Sequence, residues 1–384
     1  MSNNKLEVIA FYLPQFHPVH ENDEWWGKGF TEWTNVAKAK PLFKGHNQPR
    51  IPADLGFYDL RVPEVREQQV ELAKEAGVTA FCYWHYWFGN GRRLLERIFD
   101  EVLESGKPDF PFCLGWANHS WYAKTWDKNS IKKDKLLIEQ TYPGPDDARE
   151  HFNYLLKAFN DHRYLKIDGK PFLFVFDPVS IPDEYLRLFR EWTVEAGYSG
   201  LYLVGNIQVH DDKVFYIKKG FDAVLINRTH KAKINTIEKF YKTSVVNFVR
   251  GLRVKCRILD EVLKLRHRIL SRKNSLRPTI VDFETYYKGL ITTDEYVEDT
   301  IPQILPQWDH TPRSGNNGVA WINATPDIFK KHALAALAAV KDKETPLIML
   351  KSWNEWGEGN YMEPDTLYGK GFIEALRDAL NEVR

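Results

Sequence analysis

Two carboxylates carry the clearest chemical signal. Glu355 and Glu358 sit three residues apart in Trp353-Asn354-Glu355-Trp356-Gly357-Glu358-Gly359, directly after the apolar run 346–351. Glycoside hydrolysis uses a pair of carboxyl groups in unlike surroundings: one is kept protonated to serve as acid, the other ionised to serve as base or nucleophile. Tryptophan beside each glutamate and glycine between and after them suit both demands. A Glu-x-x-Glu pair is elsewhere most often a solvated helix face, but the context here is strand, tryptophan and glycine. Glu363, in Tyr361-Met362-Glu363-Pro364-Asp365, is a candidate to orient the pair.

Other polar and aromatic residues fall in similar places, just past apolar runs. Tyr12, Gln15 and His17 follow or end the first run; His85, Tyr86 and Trp87 follow the second; Trp116, Asn118, His119 and Trp121 follow the third. Asp177, Asn206, Asn227 and Arg228 follow the next three, and Trp308 with Asp309 a later one. Trp353, Asn354 and Trp356 flank the two glutamates. A further group, Trp26, Glu32, Trp33 and Asn35, lies in a loop with three tryptophans and a phenylalanine within nine residues. Flat aromatic faces against sugar C–H faces, with fixed polar groups for the hydroxyls, make a carbohydrate site. All of these except Asp177, Asn206, Asn227 and Arg228 are taken, with Glu363, as candidate substrate-binding residues. The competing reading of any one tryptophan is core packing.

What must position them is a repeated strand–helix unit. Apolar runs at 8–13, 78–84, 110–116, 171–176, 201–205, 222–226 and 346–351, with a seventh in order at 278–283 or 302–305, are nearly continuous, as in strands buried on both faces. Between them lie helices expected at 63–76, 92–105, 146–160, 182–196, 325–341 and 371–383, several with proline at the start and glycine at the stop. Eightfold alternation predicts one (β/α)8 barrel across residues 1–384, with chemistry at the C-terminal strand ends. No glycine-rich turn follows any strand, which disfavours a doubly wound nucleotide-binding sheet. Two insertions are expected, at 14–61 and at 227–277.

Composition removes other classes. The chain has 53 Lys+Arg against 52 Asp+Glu, so no global charge points to nucleic acid. No run reaches the roughly 18 apolar residues of a membrane span, and the N-terminus lacks a signal-peptide pattern, so a cytoplasmic location is expected, with export left open. Three cysteines make no disulfide framework. Residues 228–277 are the exception in charge, with 15 Lys+Arg and 3 Asp+Glu, which leaves the rest of the chain at −11. A solvated basic helical excursion is one reading; a contact with an anionic glycan, a membrane surface or a partner is the other.

The segments Phe11–His17, Trp25–Val36, Gln48-Pro49-Arg50, Asp54–Asp59, Trp116-Ala117-Asn118, Trp308-Asp309 and 353–359 together resemble the WbsX-like proteins of bacterial polysaccharide gene clusters, which are similar to glycoside hydrolase family 99. The resemblance spans almost the whole chain and is weakest in the basic insertion. It implies a (β/α)8 barrel with retaining, endo-α-mannosidase-like chemistry. It also implies that Glu355 deprotonates the sugar 2-hydroxyl, which attacks C1 to give a 1,2-anhydro sugar. Glu358 would protonate the leaving group and then activate water. His119 stands where the family often places Glu, and Tyr122-Ala123-Lys124 replaces an Arg-containing stretch, so that side of the pocket is expected to differ.

Three alternatives remain. WbsX-like proteins are often labelled glycosyltransferases of lipopolysaccharide assembly, although no Asp-x-Asp nucleotide-sugar signature is present. A metal-dependent deacetylase would draw ligands from His17, His20, Glu21, Asp23, His85 and His119, whose spacing is not that of a helical metal motif. A non-catalytic glycan-binding barrel would keep the aromatics and tolerate loss of both glutamates. The favoured reading needs neither metal nor cofactor, only an oligo- or polysaccharide substrate.

Overall fold

The computed structural model describes residues 5–123, 135–229 and 277–383. Eight parallel strands form its centre: β1 Glu7–Tyr12, β2 Ala80–Trp87, β3 Phe112–Trp116, β4 Lys170–Val175, β5 Tyr202–Gln208, β6 Ala223–Asn227, β7 Gln303–Ile304 and β8 Leu347–Leu350. They lie in the order β6-β5-β4-β3-β2-β1-β8-β7. At the seam, Val224 N donates to Asp299 O at 2.9 Å and Ile301 N to Val224 O at 2.8 Å. The sheet therefore closes on itself as the expected (β/α)8 barrel.

Helices alternate with the strands. α1 His20–Trp26 and α2 Glu32–Lys38 lie in the long loop after β1 and are followed by α3 Pro63–Ala76. Then come α4 Arg97–Ser105, α5 Pro145–Phe159, α6 Asp183–Glu195 and α7 Lys213–Lys219. A short turn of helix, α8 Thr311–Ser314, follows β7; α9 Pro326–Val340 and α10 Gly371–Val383 complete the series. The ends obey local rules. α3 starts at proline and stops at Gly77, whose φ of +83° is the left-handed conformation that favours glycine. Of the two expected positions for the seventh strand, 302–305 enters the barrel. Residues Thr279–Asp282 instead pair in parallel with Val319–Ile322 in a separate two-stranded sheet. The expected basic excursion lies outside the described residues between 230 and 276.

Strand periodicity decides which side chains enter the barrel. Phe11 stacks on Trp84 at 4.8 Å between centroids, and both rings meet Phe174. A Cβ at Gly115 would meet Cys82 Sγ and the Trp84 ring. These residues form the lumen. Their strand neighbours point outward onto helices: Tyr12 Oη donates to Gln69 Oε1 on α3 at 2.6 Å, and Trp87 Nε1 to Asp147 on α5 at 3.2 Å.

Two asparagines tie strand ends together. The Asn354 side chain accepts from Leu13 N at 2.7 Å and donates to Leu13 O at 3.0 Å, joining the end of β1 to the segment after β8. Asn118 does the same for Asp177, accepting from its N at 2.8 Å and donating to its O at 2.7 Å. Each clamp replaces the sheet ladder where the strands splay apart. Asn354→Ala leaves a buried N–H and C=O of Leu13 without that partner, and is expected to lower unfolding free energy by about 3 kcal/mol in urea denaturation.

Candidate active site

The site is built where β8 ends. The chain beyond β8 makes a two-residue antiparallel contact, Asn354–Glu355 with Asn360–Tyr361, around a 3₁₀ turn at Trp356–Glu358. That turn brings both glutamate side chains to the same side. Glu355 is buried, and Glu358 is partly exposed.

Arg313, on α8, holds the two together. Its Nη1 donates to Glu358 Oε1 at 2.6 Å and lies 3.2 Å from Glu355 Oε1. Its Nε donates to Glu32 Oε2 at 3.1 Å. Glu32, on α2, is 3% exposed, so a third carboxylate is buried behind the guanidinium. Gly357 makes this approach possible: a Cβ there would collide with the Glu32 carboxylate and stand 2.9 Å from Arg313 Nε. The small residue between the two glutamates thus leaves room for the ion pair.

These contacts split the two carboxyls. Burial raises Glu355, the neighbouring Glu358 charge raises it further, and Arg313 opposes both. Burial also acts to raise Glu358, but Arg313 and His310 outweigh it and hold this carboxyl well below the usual range. His310 Nε2 is 3.5 Å from Glu358 Oε1. Of the pair, Glu355 takes up a proton first and Glu358 stays ionised longest. Arg313 is held charged by the three glutamates against the cost of its burial.

Asp309 positions the helix that carries Arg313. Its N–H donates to Glu358 O at 2.7 Å. Its carboxylate accepts from Thr311 N and Oγ1 at 3.0 and 2.6 Å, and from Gln48 Nε2 at 2.7 Å, with His46 Nε2 also at 2.7 Å. Asp309 is 1% exposed and its oxygens are occupied, so it organises the site and does not face the mouth, a correction to its expected sugar contact.

Other expected sugar contacts are corrected by the alternation. Tyr12, His85, Trp87 and Trp116 face the helices. His85 Nε2 lies 2.8 Å from His151 Nε2 on α5, and burial pushes its imidazole down to about 3. The Trp116 ring lies 4.5 Å from His151. His17 is buried, and burial also lowers its pKa. Asn118, Asn354 and Trp353 are fully buried, the asparagines as strand clamps and Trp353 against Phe81. Trp308 packs in a satellite core with Phe283, Leu305 and Trp321, and the Lys351 ammonium lies 4.7 Å from its ring centre.

Other residues remain at or near the mouth. Gln15, Asn35, His119 and Trp121 are half-buried, and Trp26 is 44% exposed. Trp121 packs edge-on to Tyr86 at 5.2 Å and Trp25 at 6.0 Å. The His119 ring lies 4.9 Å from Phe176. Tyr86 is buried, and its phenol is raised by burial and by the charges of Glu355, Glu32 and Glu358, which places it in their field. Sequence reasoning missed Arg313, Trp84 and Lys351. The signal for Arg313 was present in Asp309-His310-Thr311-Pro312-Arg313, an acidic cap and a proline that begin a turn of helix. Among the described residues, no group of three or more His, Cys, Asp or Glu side chains could hold a metal ion, and no helix is long and apolar enough to cross a membrane.

Comparison with known proteins agrees with this architecture. A family model described as glycosyltransferase WbsX matches residues 8–376. The chain belongs to the WbsX family. Proteins named WxcX from two strains of Xanthomonas campestris pv. campestris are 33% identical over 98% of this chain. The chain spans about half the length of these curated relatives, 50% in each case. Among solved structures, a glycoside hydrolase-like protein aligns with a TM-score of 0.56 at 16% identity, covering 99% of this chain and 95% of that one. The GH99 endo-alpha-mannosidase from Bacteroides thetaiotaomicron aligns at 0.53 and 15%, covering 99% and 98%. These likenesses show a common barrel fold.

Beneath the glutamates, the WbsX-family motif rests on an aromatic block. Trp356 stacks on Tyr361 at 3.6 Å and meets Trp33 at 5.4 Å; Trp33 also packs on Phe16 and Tyr58. Glu363 anchors it. Its carboxylate accepts from Trp356 Nε1 at 2.6 Å, Gln69 Nε2 at 2.6 Å and Tyr58 Oη at 2.9 Å. It thereby fixes the indole that separates Glu355 from Glu358, while lying too deep to meet a sugar itself. Burial outweighs these donors and pushes Glu363 up to about 7 from 4.5. The folded protein then keeps a proton there that the unfolded chain releases above its own pKa. Stability should therefore fall as pH rises from about 4.5 to about 7, by roughly 3 kcal/mol from this group. Denaturant titrations at pH 4.5, 6 and 7.5 should show that fall, and Glu363→Gln should flatten it.

Proposed function

We propose that this protein is a glycoside hydrolase, retaining and endo-acting on an α-linked bacterial or surface polysaccharide, with Glu355 and Glu358 as its acid/base pair. The observation that carries this reading is the shared Arg313 contact, which holds two carboxylates of unlike proton affinity at the C-terminal end of a (β/α)8 barrel. Such barrels place their chemistry at that end. The exposed Trp26 and the half-buried Trp121, in the segments that follow β1 and β3, suit stacking on sugar rings. The aligned GH99 structure is that of an endo-alpha-mannosidase, which supports the same class of reaction.

In this reading Glu355 takes the proton of the sugar 2-hydroxyl as that oxygen attacks C1, while Glu358 gives its proton to the departing glycosidic oxygen. The products of the step are a 1,2-anhydro sugar, protonated Glu355 and ionised Glu358. Glu358 then accepts a proton from the water that opens the anhydro ring, and Glu355 returns its proton to O2. The pair holds one proton at every stage. The unliganded site, with Glu355 the more basic carboxyl, carries the proton order of the intermediate. No enzyme nucleophile needs to reach C1, so the spacing of the carboxylates does not report the stereochemistry by the usual two-carboxylate rule.

The family description favours a second reading, a glycosyltransferase of polysaccharide assembly. One assay separates the two. Wild type, Glu355→Gln and Glu358→Gln are incubated with α-linked oligosaccharides and bacterial surface polysaccharides, without and then with sugar donors. Hydrolysis predicts new reducing ends in the absence of donor, with the loss in each variant at least about 100-fold. Product formed only with donor would make it a transferase, and tight binding without any turnover a glycan-binding barrel.

A further inference from the structure

Arg313 has no role in the scheme above, yet its guanidinium occupies the space between the two reacting carboxylates. Three features show that this place is built. Glu32 anchors Nε from behind and is itself buried. Gly357 leaves room for that anchor against the backbone of the catalytic turn. Asp309 ties α8 to the Glu358 carbonyl on one side and to His46 and Gln48 on the other. A surface arginine chosen only for stability needs none of this.

We propose that Arg313 is a positioning residue that keeps the Glu355–Glu358 pair at a single shared proton and, through the placement of Nη1 between their Oε1 atoms, decides which of the two carries it. The proposal rests on the hydrolase reading for its catalytic meaning, but its electrostatic content belongs to the free protein.

The geometry explains how. Nη1 is 2.6 Å from Glu358 and 3.2 Å from Glu355, so its charge favours ionisation of Glu358 first. The two contacts differ by a small displacement. A sugar whose glycosidic oxygen comes to lie against the still ionised Glu358 displaces Nη1 toward Glu355. The proton then leaves Glu355 and is taken up by Glu358, with no net exchange with solvent. That is the order required for leaving-group protonation. Without the guanidinium, the buried Glu355 and the partly exposed Glu358 would face each other beside a third carboxylate, Glu32, and both would hold protons to higher pH. The other groups that act on the pair are His310 beside Glu358, the Lys351 ammonium at the end of β8, and the Tyr86 phenol on β2. None of them touches both carboxylates among the described contacts.

The test is a titration that needs no substrate. Protein labelled with carbon-13 at the glutamate carboxyl is followed by NMR across pH 3 to 9, with Glu355→Gln and Glu358→Gln used to assign the two signals. Wild type should show Glu358 ionising first and Glu355 later. Arg313→Gln should move the first ionisation upward by about one pH unit or more, and Arg313→Lys, which keeps a charge but not the fork, should lie between. Glu32→Gln removes a charge that raises Glu355, and should move that ionisation downward, opposite to Arg313→Gln. Thermal denaturation of each variant separates a folding defect from a titration shift. Where cleavage is measurable, the pH profile of kcat/KM should shift with the titration, and Arg313→Lys should recover part of the activity that Arg313→Gln loses. Unchanged carboxyl titration in folded Arg313→Gln overturns the proposal, even if glycan cleavage is found. A shifted titration in a protein that cleaves no glycan sustains the role of Arg313 and removes the hydrolase reading instead.

Discussion

Closing eight parallel strands into a barrel gives every strand one face for the lumen and one for the helices, and the rest of this structure follows from that constraint. Phe11, Trp84 and Phe174 fill the lumen because their strands turn the same face inward: Trp84 and Phe174 lie at one level on either side of Gly115, and Phe11, opposite Cys82, stacks on Trp84. Their immediate neighbours Tyr12 and His85, and Trp87 two residues further along β2, are forced outward, where they find partners on α3 and α5. A position at the end of a strand is therefore not enough to reach the mouth. Parity matters as well, and one step along the chain turns a platform for a ligand into a core residue.

The charges of the site come from segments that the barrel holds together but does not itself contain. Glu32 lies on a helix after β1, Arg313 on a helix after β7, and Glu355 and Glu358 on the turn after β8. A guanidinium among three carboxylates is favourable only where the geometry satisfies its donors, because taking these groups out of water is costly. The supporting residues supply that geometry. Asp309 fixes α8, Glu363 fixes the Trp356 indole, and Gly357 allows the close approach. Buried polar contacts of this kind do little for net stability and much for the precision of the two carboxylates.

The aromatic content has two different destinations. Most of the tryptophans are structural: Trp33 and Trp356 support the glutamates from below, Trp87 and Trp116 join strands to α5, and Trp308 and Trp321 build a satellite core. A smaller set, Trp26 and Trp121, keeps surface exposed in the segments that follow β1 and β3. Several indoles of the first group also use their N–H, as Trp33 does on Tyr58 O, Trp356 on Glu363 and Trp87 on Asp147.

Local pattern determined the barrel by itself. The apolar runs, the proline starts and the glycine stops placed seven of the strands and most of the main helices to within a few residues, since a strand buried on both faces and a capped helix announce themselves in consecutive residues; the helix expected from 92 begins at Arg97, because Arg93 and Leu94 pair with the end of β2. The Glu-x-x-Glu pair between tryptophans was equally legible, because both members lie in one short segment. Tertiary structure alone decided what surrounds it. Arg313 is 281 positions from Glu32 in the chain, and no local signal links them. Nor could composition show that Asp309 would be consumed by His46, Gln48 and Thr311, or that Trp116 would turn toward a helix. Electrostatic environment depends on which charges closure brings within a few ångströms of one another, and that distance is a property of the folded barrel.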